Sequence, residues 1–149
     1  MEVIECSLKD VDRVAQLFNE YRVFYELADD LAASRGFIQG NLEKNASRVF
    51  LLLDDDQQPV AFAQLYPAIC SLEMKPFYWL YDLYVAAAAR KKGFARVLMT
   101  HLTTTLTAEG AQRISLDTAH ANKAAQALYE SLGYEREAQF ITYHKILKP

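Results

Sequence analysis

Arg90, Lys91 and Lys92 stand directly before Gly93-Phe94-Ala95, where an apolar run gives way to helical spacing. Cations beside a glycine at a helix start suit a phosphate. The first turn offers unpaired N–H groups at the positive end of the macrodipole, and glycine lets an anion approach the backbone. The same residues also fit a basic turn that merely closes a strand. A second candidate is Asp82, the only charged residue in Phe77-Tyr78-Trp79-Leu80-Tyr81-Asp82-Leu83-Tyr84-Val85. Burying a bare carboxylate is very costly, so it must be paired, hydrogen-bonded or turned toward a cleft. It can serve as a general base or orienting group at a cleft, or be a structural carboxylate bonded to backbone or a tyrosine. The third is Tyr129, which shares a helical face with Ala125, Leu128 and Leu132. Its hydroxyl is a potential proton donor, and its ring is equally an ordinary core aromatic.

The elements that hold these residues follow from periodicity. Val3 to Cys6 reads as a short strand, and Ser7 or Asp10 caps a helix through about Tyr25 with Val14, Leu17, Phe18, Tyr21 and Phe24 on one face. A second helix is expected over 31–45. Val49 to Leu53 and Val60 to Ala68 read as strands joined by the polar turn 54–59, and 77–85 as a long central strand. A helix over 93–109 ends at Gly110, a strand carries Ile114, Leu116 and Thr118, a helix runs from Asn122 to Gly133, and Phe140 to Leu147 reads as a last strand. Hairpin-linked strands mixed with βαβ crossovers predict a mixed α/β fold, with a mostly antiparallel sheet and helices on both faces.

The chain has 149 residues, 52% of them hydrophobic and 23% charged, which predicts a single globular domain over 1–149. Sixteen basic and nineteen acidic residues give a net charge of −3, which argues against broad nucleic-acid binding and makes the 90–92 cluster a local feature. Cys6 and Cys70 form no CxxC pair and no cluster of metal spacing, so reduced thiols and no metal are expected. No signal-like leader or membrane-length run is present, and a cytoplasmic protein with no membrane partner is expected.

Taken in order, Asp82-Leu83-Tyr84-Val85, Arg90 to Ala95, Asn122, and Ala127-Leu128-Tyr129-Glu130-Ser131-Leu132-Gly133-Tyr134 resemble the GNAT superfamily of acyl-CoA N-acyltransferases, nearest its small histone, polyamine and amine acetyltransferases. Ala95 stands where many relatives have a second glycine, a substitution the pattern tolerates. The resemblance implies a GNAT-like sheet splayed at the cofactor site and acetyl-CoA as donor. It places the pyrophosphate on Arg90, Lys91, Lys92, Gly93, Phe94 and Ala95, and pairs the pantetheine arm with the backbone of Leu83, Tyr84 and Val85. It also implies a bulge in this strand, Asn122 in contact with the cofactor, and Tyr129 near its sulfur.

Acetyl transfer needs a neutral amine, and a lysine-like amine has a pKa of about 10.4, so its proton must be removed. The N–H of Leu83, freed at the bulge, is the expected oxyanion donor. Tyr129 is the expected acid for the departing thiolate, and Asp82 the group that orients or deprotonates the amine. Polyamine-acetylating relatives tend to carry an acidic pair here, and Tyr81 occupies the first of those places, so a water chain ending on Asp82, Tyr81 or backbone is an equal alternative. The resemblance puts an acceptor wall on and after the first helix. Tyr21, Tyr25, Glu26, Asp29 and Asp30 fall there, and acidic and aromatic side chains suit a cationic amine. The expected activity is direct acetyl transfer to a small, polyamine or peptide amine in a ternary complex, by a homodimer through an aromatic carboxy-terminal strand. The alternative is a non-catalytic acyl-CoA-binding regulatory module.

Overall fold

Val49, Leu51 and Leu53 point to one side of a strand and Phe50 and Leu52 to the other, and all five are buried. Both faces of that strand must therefore be covered, and the remaining elements do so. The computed structural model describes residues 1–148. In chain order the elements are β1 (Glu2–Glu5), α1 (Val11–Phe24), α2 (Leu31–Glu43), β2 (Arg48–Leu53), β3 (Pro59–Cys70), β4 (Lys75–Val85), α3 (Phe94–Ala108), β5 (Ile114–Ser115) and α4 (Lys123–Ser131), with short 3-10 turns at 8–10 and 87–89. The sheet order is β1-β2-β3-β4-β5. The first three pairings are antiparallel and β4 with β5 is parallel. This is the mixed, mostly antiparallel α/β fold the periodicity predicts.

On one face Val14, Leu17 and Phe18 of α1 and Ile38 of α2 pack on Val49, Leu51, Leu53, Phe62 and Tyr84. On the other, α3 buries Leu98, Met99, Leu102 and Leu106, and its His101 meets the Phe50 ring edge-on at 6.0 Å. Each fully buried large apolar side chain contributes about 2 kcal/mol. Arg48 fixes where α3 ends: its guanidinium donates to Glu5 (2.7 and 3.0 Å) and to Glu109 (2.7 and 3.0 Å). Ahead of α1, the buried Asp10 carboxylate accepts from the Ser7 N–H (2.9 Å) and from Arg13 (2.6 Å).

The chain divides into two compact units, Met1–Asp117 and a second beginning at Thr118. Two strand expectations differ from what is found. The strand expected through Leu116 and Thr118 spans only Ile114–Ser115, and no strand is assigned among the described residues of 140–148. Phe140, Ile141, Tyr143, Ile146 and Leu147 have the composition of a strand, yet each is at least 75% exposed. Side-chain preference suits a residue to a sheet, but a strand exists only where a neighbouring backbone completes its ladder.

Candidate functional site

The register of β4 decides which of its amides are available. Opposite β3, Gln64 pairs with Asp82 and Leu65 with Leu80, so Tyr81 is an extra residue on the β4 side, a β-bulge. Above it, the Ala86 N–H donates to the Val60 carbonyl (2.9 Å). Hydrogen-bonded pairs alternate in an antiparallel ladder, so Tyr84 and Asp82 also turn their amides toward β3, and Leu83 and Val85 turn theirs to the opposite edge. Below it, the Tyr78 N–H donates across that opposite edge to the Arg113 carbonyl (3.1 Å), and Pro67, which has no N–H to give, lies opposite Tyr78. The single inserted residue thus switches the outward-facing amides from even to odd positions. Along the same edge β5 pairs only with Tyr78 and Trp79. From Leu83 on, β4 presents its outward amides with no β5 residue in register.

At the end of this strand, residues 86–93 turn into α3. Gly93 is the N-cap residue at φ 77°, ψ 14°, left-handed geometry that favours glycine. No side chain caps the helix and its first turn holds no acidic residue. The first backbone bond runs from the Val97 N–H to the Gly93 carbonyl (3.1 Å), so the N–H groups of Phe94, Ala95 and Arg96 precede the helical ladder. A Cβ built on Gly93 would meet nothing within 4 Å, so the space beside it is open. Lys91, at φ 63°, shares the left-handed region, and Lys91 and Lys92 are both exposed. Arg90 behaves differently from its neighbours. Its Nε donates to the Val85 carbonyl (3.1 Å), and its guanidinium lies over the rings of Phe24 (4.9 Å) and Tyr84 (5.5 Å). It braces the cradle against the end of α1.

Asp82 lies on the α1–α2 face, in an open cleft of about 420 Å³ lined by Phe18, Phe37, Tyr66, Tyr81 and Asp82 itself. Phe18 of α1 stacks on Phe37 of α2 (5.4 Å, 13°), and Tyr66 meets Tyr81 edge-on (5.4 Å, 81°). Gln64 Nε2 donates to Asp82 Oδ2 (2.8 Å). The Gln64 Oε1 in turn accepts from Ser47 (2.8 Å) and from Asn41 (3.1 Å), and Asn41 also reaches the Tyr66 hydroxyl (3.1 Å). With its carbonyl doubly engaged, the fully buried Gln64 amide can only present its NH₂ to Asp82. Burial pushes the Asp82 carboxyl above its ordinary range, while hydrogen bonds from Gln64 and Tyr21 pull it back down. Asp82 carries the one negative charge of the lining, so it is the group in this cleft able to form an ion pair with a cation.

The predicted residues therefore separate. Tyr81 and Asp82 line the cleft, and Tyr21 hydrogen-bonds to Asp82 while packing edge-on against Phe62 (5.7 Å) and Tyr84 (5.9 Å). Tyr25 is exposed and stands edge-on to Tyr21 (5.1 Å) and Phe24 (5.3 Å) outside the cleft lining. Asp29 accepts from Asn19 (2.7 Å), and Asp30 caps α2 by accepting from the Ala33 N–H (3.0 Å), so both carboxylates serve the α1–α2 connection. Gln64, Asn41, Ser47, Phe18 and Phe37 were not predicted as site residues. Gln64 carries a readable signal, as the only amide in the apolar stretch Val60 to Leu65.

In the second unit, Asn122 is the N-cap of α4, its Oδ1 accepting from the Ala125 N–H (3.1 Å), which leaves its NH₂ pointing out of the cap. Tyr129 lies on α4, half-buried, with its ring 5.9 Å from that of Tyr134. The buried Tyr134 hydroxyl has no hydrogen-bond partner among the described residues, and burial, with Tyr129 beside it, pushes its pKa up to about 12. Among the described residues no group of three or more His, Cys, Asp or Glu side chains is placed to hold a metal ion, and no helix is long and apolar enough to cross a membrane.

Comparison with known proteins places this geometry. A model of the acetyltransferase (GNAT) family matches residues 11–134. An uncharacterized N-acetyltransferase, YhfO, of Bacillus subtilis (strain 168) is 36% identical over 143 residues, covering 96% of this chain and 95% of the relative. The aminoglycoside N(6')-acetyltransferase type 1 of Serratia marcescens is 30% identical over 91 residues, 59% of this chain and 62% of the relative. Among solved structures, a probable acetyltransferase superposes with a TM-score of 0.94 at 32% identity, covering 100% of this chain and 99% of that one. An aminoglycoside acetyltransferase from an uncultured soil metagenomic sample, in complex with sisomicin, gives 0.84 at 20% identity over 99% of this chain and 96% of that one, a likeness of fold.

Proposed function

Because this chain belongs to the acetyltransferase (GNAT) family, whose donor is acetyl-CoA, we infer that it transfers an acetyl group to a primary amine by direct attack in a ternary complex. The observation that carries this reading is the pairing of an uncapped, glycine-started helix with outward amides on the adjoining strand. These residues fit the donor. The N–H groups of Phe94 and Ala95, with Lys91 and Lys92, suit the pyrophosphate, and nothing at Gly93 obstructs its approach. Leu83 and Val85, with Tyr84 between them, suit the amide-bearing arm as an added strand would. When bound, the donor supplies a thioester-activated acetyl group.

The chain's own groups then divide the work. The ionised Asp82, held by Gln64 and Tyr21, orients the ammonium and takes its proton, directly or through a water that Tyr81 helps to place. The Leu83 N–H is available to negative charge developing on an acyl oxygen. Tyr129 supplies a proton to sulfur, and Asn122, through its spare NH₂, contacts the donor. Neither Cys6 nor Cys70 is needed as a nucleophile. The reading takes residues 1–149 as one acetyltransferase domain, supported by a family match that runs across both compact units. It also takes the protein as a cytoplasmic homodimer, supported by two free thiols and by the exposed Phe140, Ile141 and Tyr143.

The test is release of thiol from acetyl-CoA with a panel of amines, with the acetylated amine identified by mass spectrometry. Acceptor-dependent release is expected. Persistent acetyl-CoA binding without turnover would instead make the chain a regulatory acyl-CoA-binding module. Tyr129→Phe is expected to lower turnover by on the order of a hundredfold, the size of a general-acid effect, with acetyl-CoA affinity nearly intact. Unchanged turnover would remove Tyr129 from the acid role.

A further inference from the structure

The acceptor cleft contains one carboxylate and four aromatic rings. Phe18 and Phe37 form a stacked pair, Tyr66 and Tyr81 an edge-on pair, and Asp82 is the single anion of the lining. Asp29 and Asp30, near the start of α2, bond to Asn19 and to the Ala33 N–H and are not part of the cleft lining. Asp82 accepts from Gln64 and Tyr21, and its single negative charge matches one ammonium group. A second ammonium meets no second carboxylate in this lining, so beside the water it keeps it gains a ring face and no ion pair. Flat apolar matter loses nothing there and stacks on the walls. At about 420 Å³ the cleft also falls toward the small end of ligand pockets.

Resting on the reading of this chain as an amine acetyltransferase, we propose that its acceptor is a small monoamine carried on an aromatic ring, and not a polyamine or an aminoglycoside-like polycation. The amine sits at Asp82, and the ring lies against Phe18 and Phe37. Because Phe37 is 48% exposed, it can be shortened without opening the core.

Binding of phenethylamine, putrescine and kanamycin to the CoA-saturated protein is measured by calorimetry, alongside acetylation of each from acetyl-CoA. Phenethylamine is expected to bind at least about tenfold more tightly than either polycation. Phe37→Ala is expected to weaken phenethylamine about tenfold and putrescine less than about twofold. Equal or tighter binding of putrescine or kanamycin, or a Phe37→Ala loss of the same size for all three, overturns the proposal. Selective phenethylamine binding with no acetylation of any amine upholds the cleft's preference for an aromatic monoamine and overturns the transferase reading. Preferential acetylation of kanamycin does the reverse.

Discussion

The helices at Phe94–Ala108 and Lys123–Ser131 both begin with N–H groups that have no partner inside the helix. Only the second closes one off with its own side chain, Asn122 accepting from Ala125, whereas the first starts at a bare glycine. α2 follows the pattern of α4, with Asp30 on the Ala33 N–H. A cap contributes about 1 kcal/mol, so its omission at α3 leaves stability unclaimed at the point where the chain also places two exposed lysines. The same contrast runs along β4. Its lower outward edge is closed by β5 at Tyr78 and Trp79, and its upper edge at Leu83 and Val85 is left open by the bulge at Tyr81. Polar groups that serve the fold are paired within the chain. The amides of Leu83, Val85, Phe94 and Ala95, which we assign to the donor, have no backbone partner among the described residues.

Closing the open helix start should have the largest effect. Gly93→Asp puts a carboxylate at the helix start, and although aspartate tolerates left-handed geometry better than most residues, a side chain at φ 77° is strained, so a slightly lower melting temperature is expected. A negative charge in the cradle is expected to cut CoA affinity on the order of a hundredfold by calorimetry, from repulsion at near-contact distance partly screened by solvent. Unchanged affinity would separate the uncapped helix from donor binding.

Asp82→Asn is expected to lower kcat/KM between about tenfold and a hundredfold. Burial holds the Asp82 carboxyl above the ordinary carboxylate range. The folded protein therefore holds that proton more readily than the unfolded chain. Its contribution to stability is full below the ordinary carboxylate range and is lost as pH rises through the raised value. Activity has the opposite sign, because the base works only when ionised. The variant should melt no lower than the parent at neutral pH, and the acidic limb of the kcat/KM profile due to Asp82 should disappear. A lower melting point with an unchanged limb would make Asp82 structural.

The smallest effect is expected at the capped helix. Asn122→Asp keeps the cap and removes the spare NH₂, so CoA affinity should fall by about threefold to tenfold with the melting temperature unchanged. Loss of stability with intact affinity would confine Asn122 to capping.

Much of this contrast was legible in the residues themselves. Arg90 to Ala95 stands out because cations and a glycine at a strand-to-helix junction have few common uses, and Asp82 because an apolar strand tolerates no idle charge. Gln64 follows the same logic on β3. The bulge at Tyr81 could not be placed, because an inserted residue changes the pairing of backbones without changing the apolar run that contains it. Arg90 as a brace was equally hidden, since its partners are a carbonyl and the ring of Phe24, some 65 residues earlier in the chain. The bonds of Asp29 to Asn19 and of Asp30 to the Ala33 N–H were hidden for a related reason. Composition counts charges but does not say which are already bonded.

The central claim is that the donor is held by amides the fold leaves without partners. Amide hydrogen exchange, followed residue by residue with and without CoA, tests it most directly. Slowed exchange at Leu83, Val85, Phe94 and Ala95, with little change at the capped Ala125, is the predicted result. Protection elsewhere, with those four amides exchanging as they do in the free protein, would contradict it.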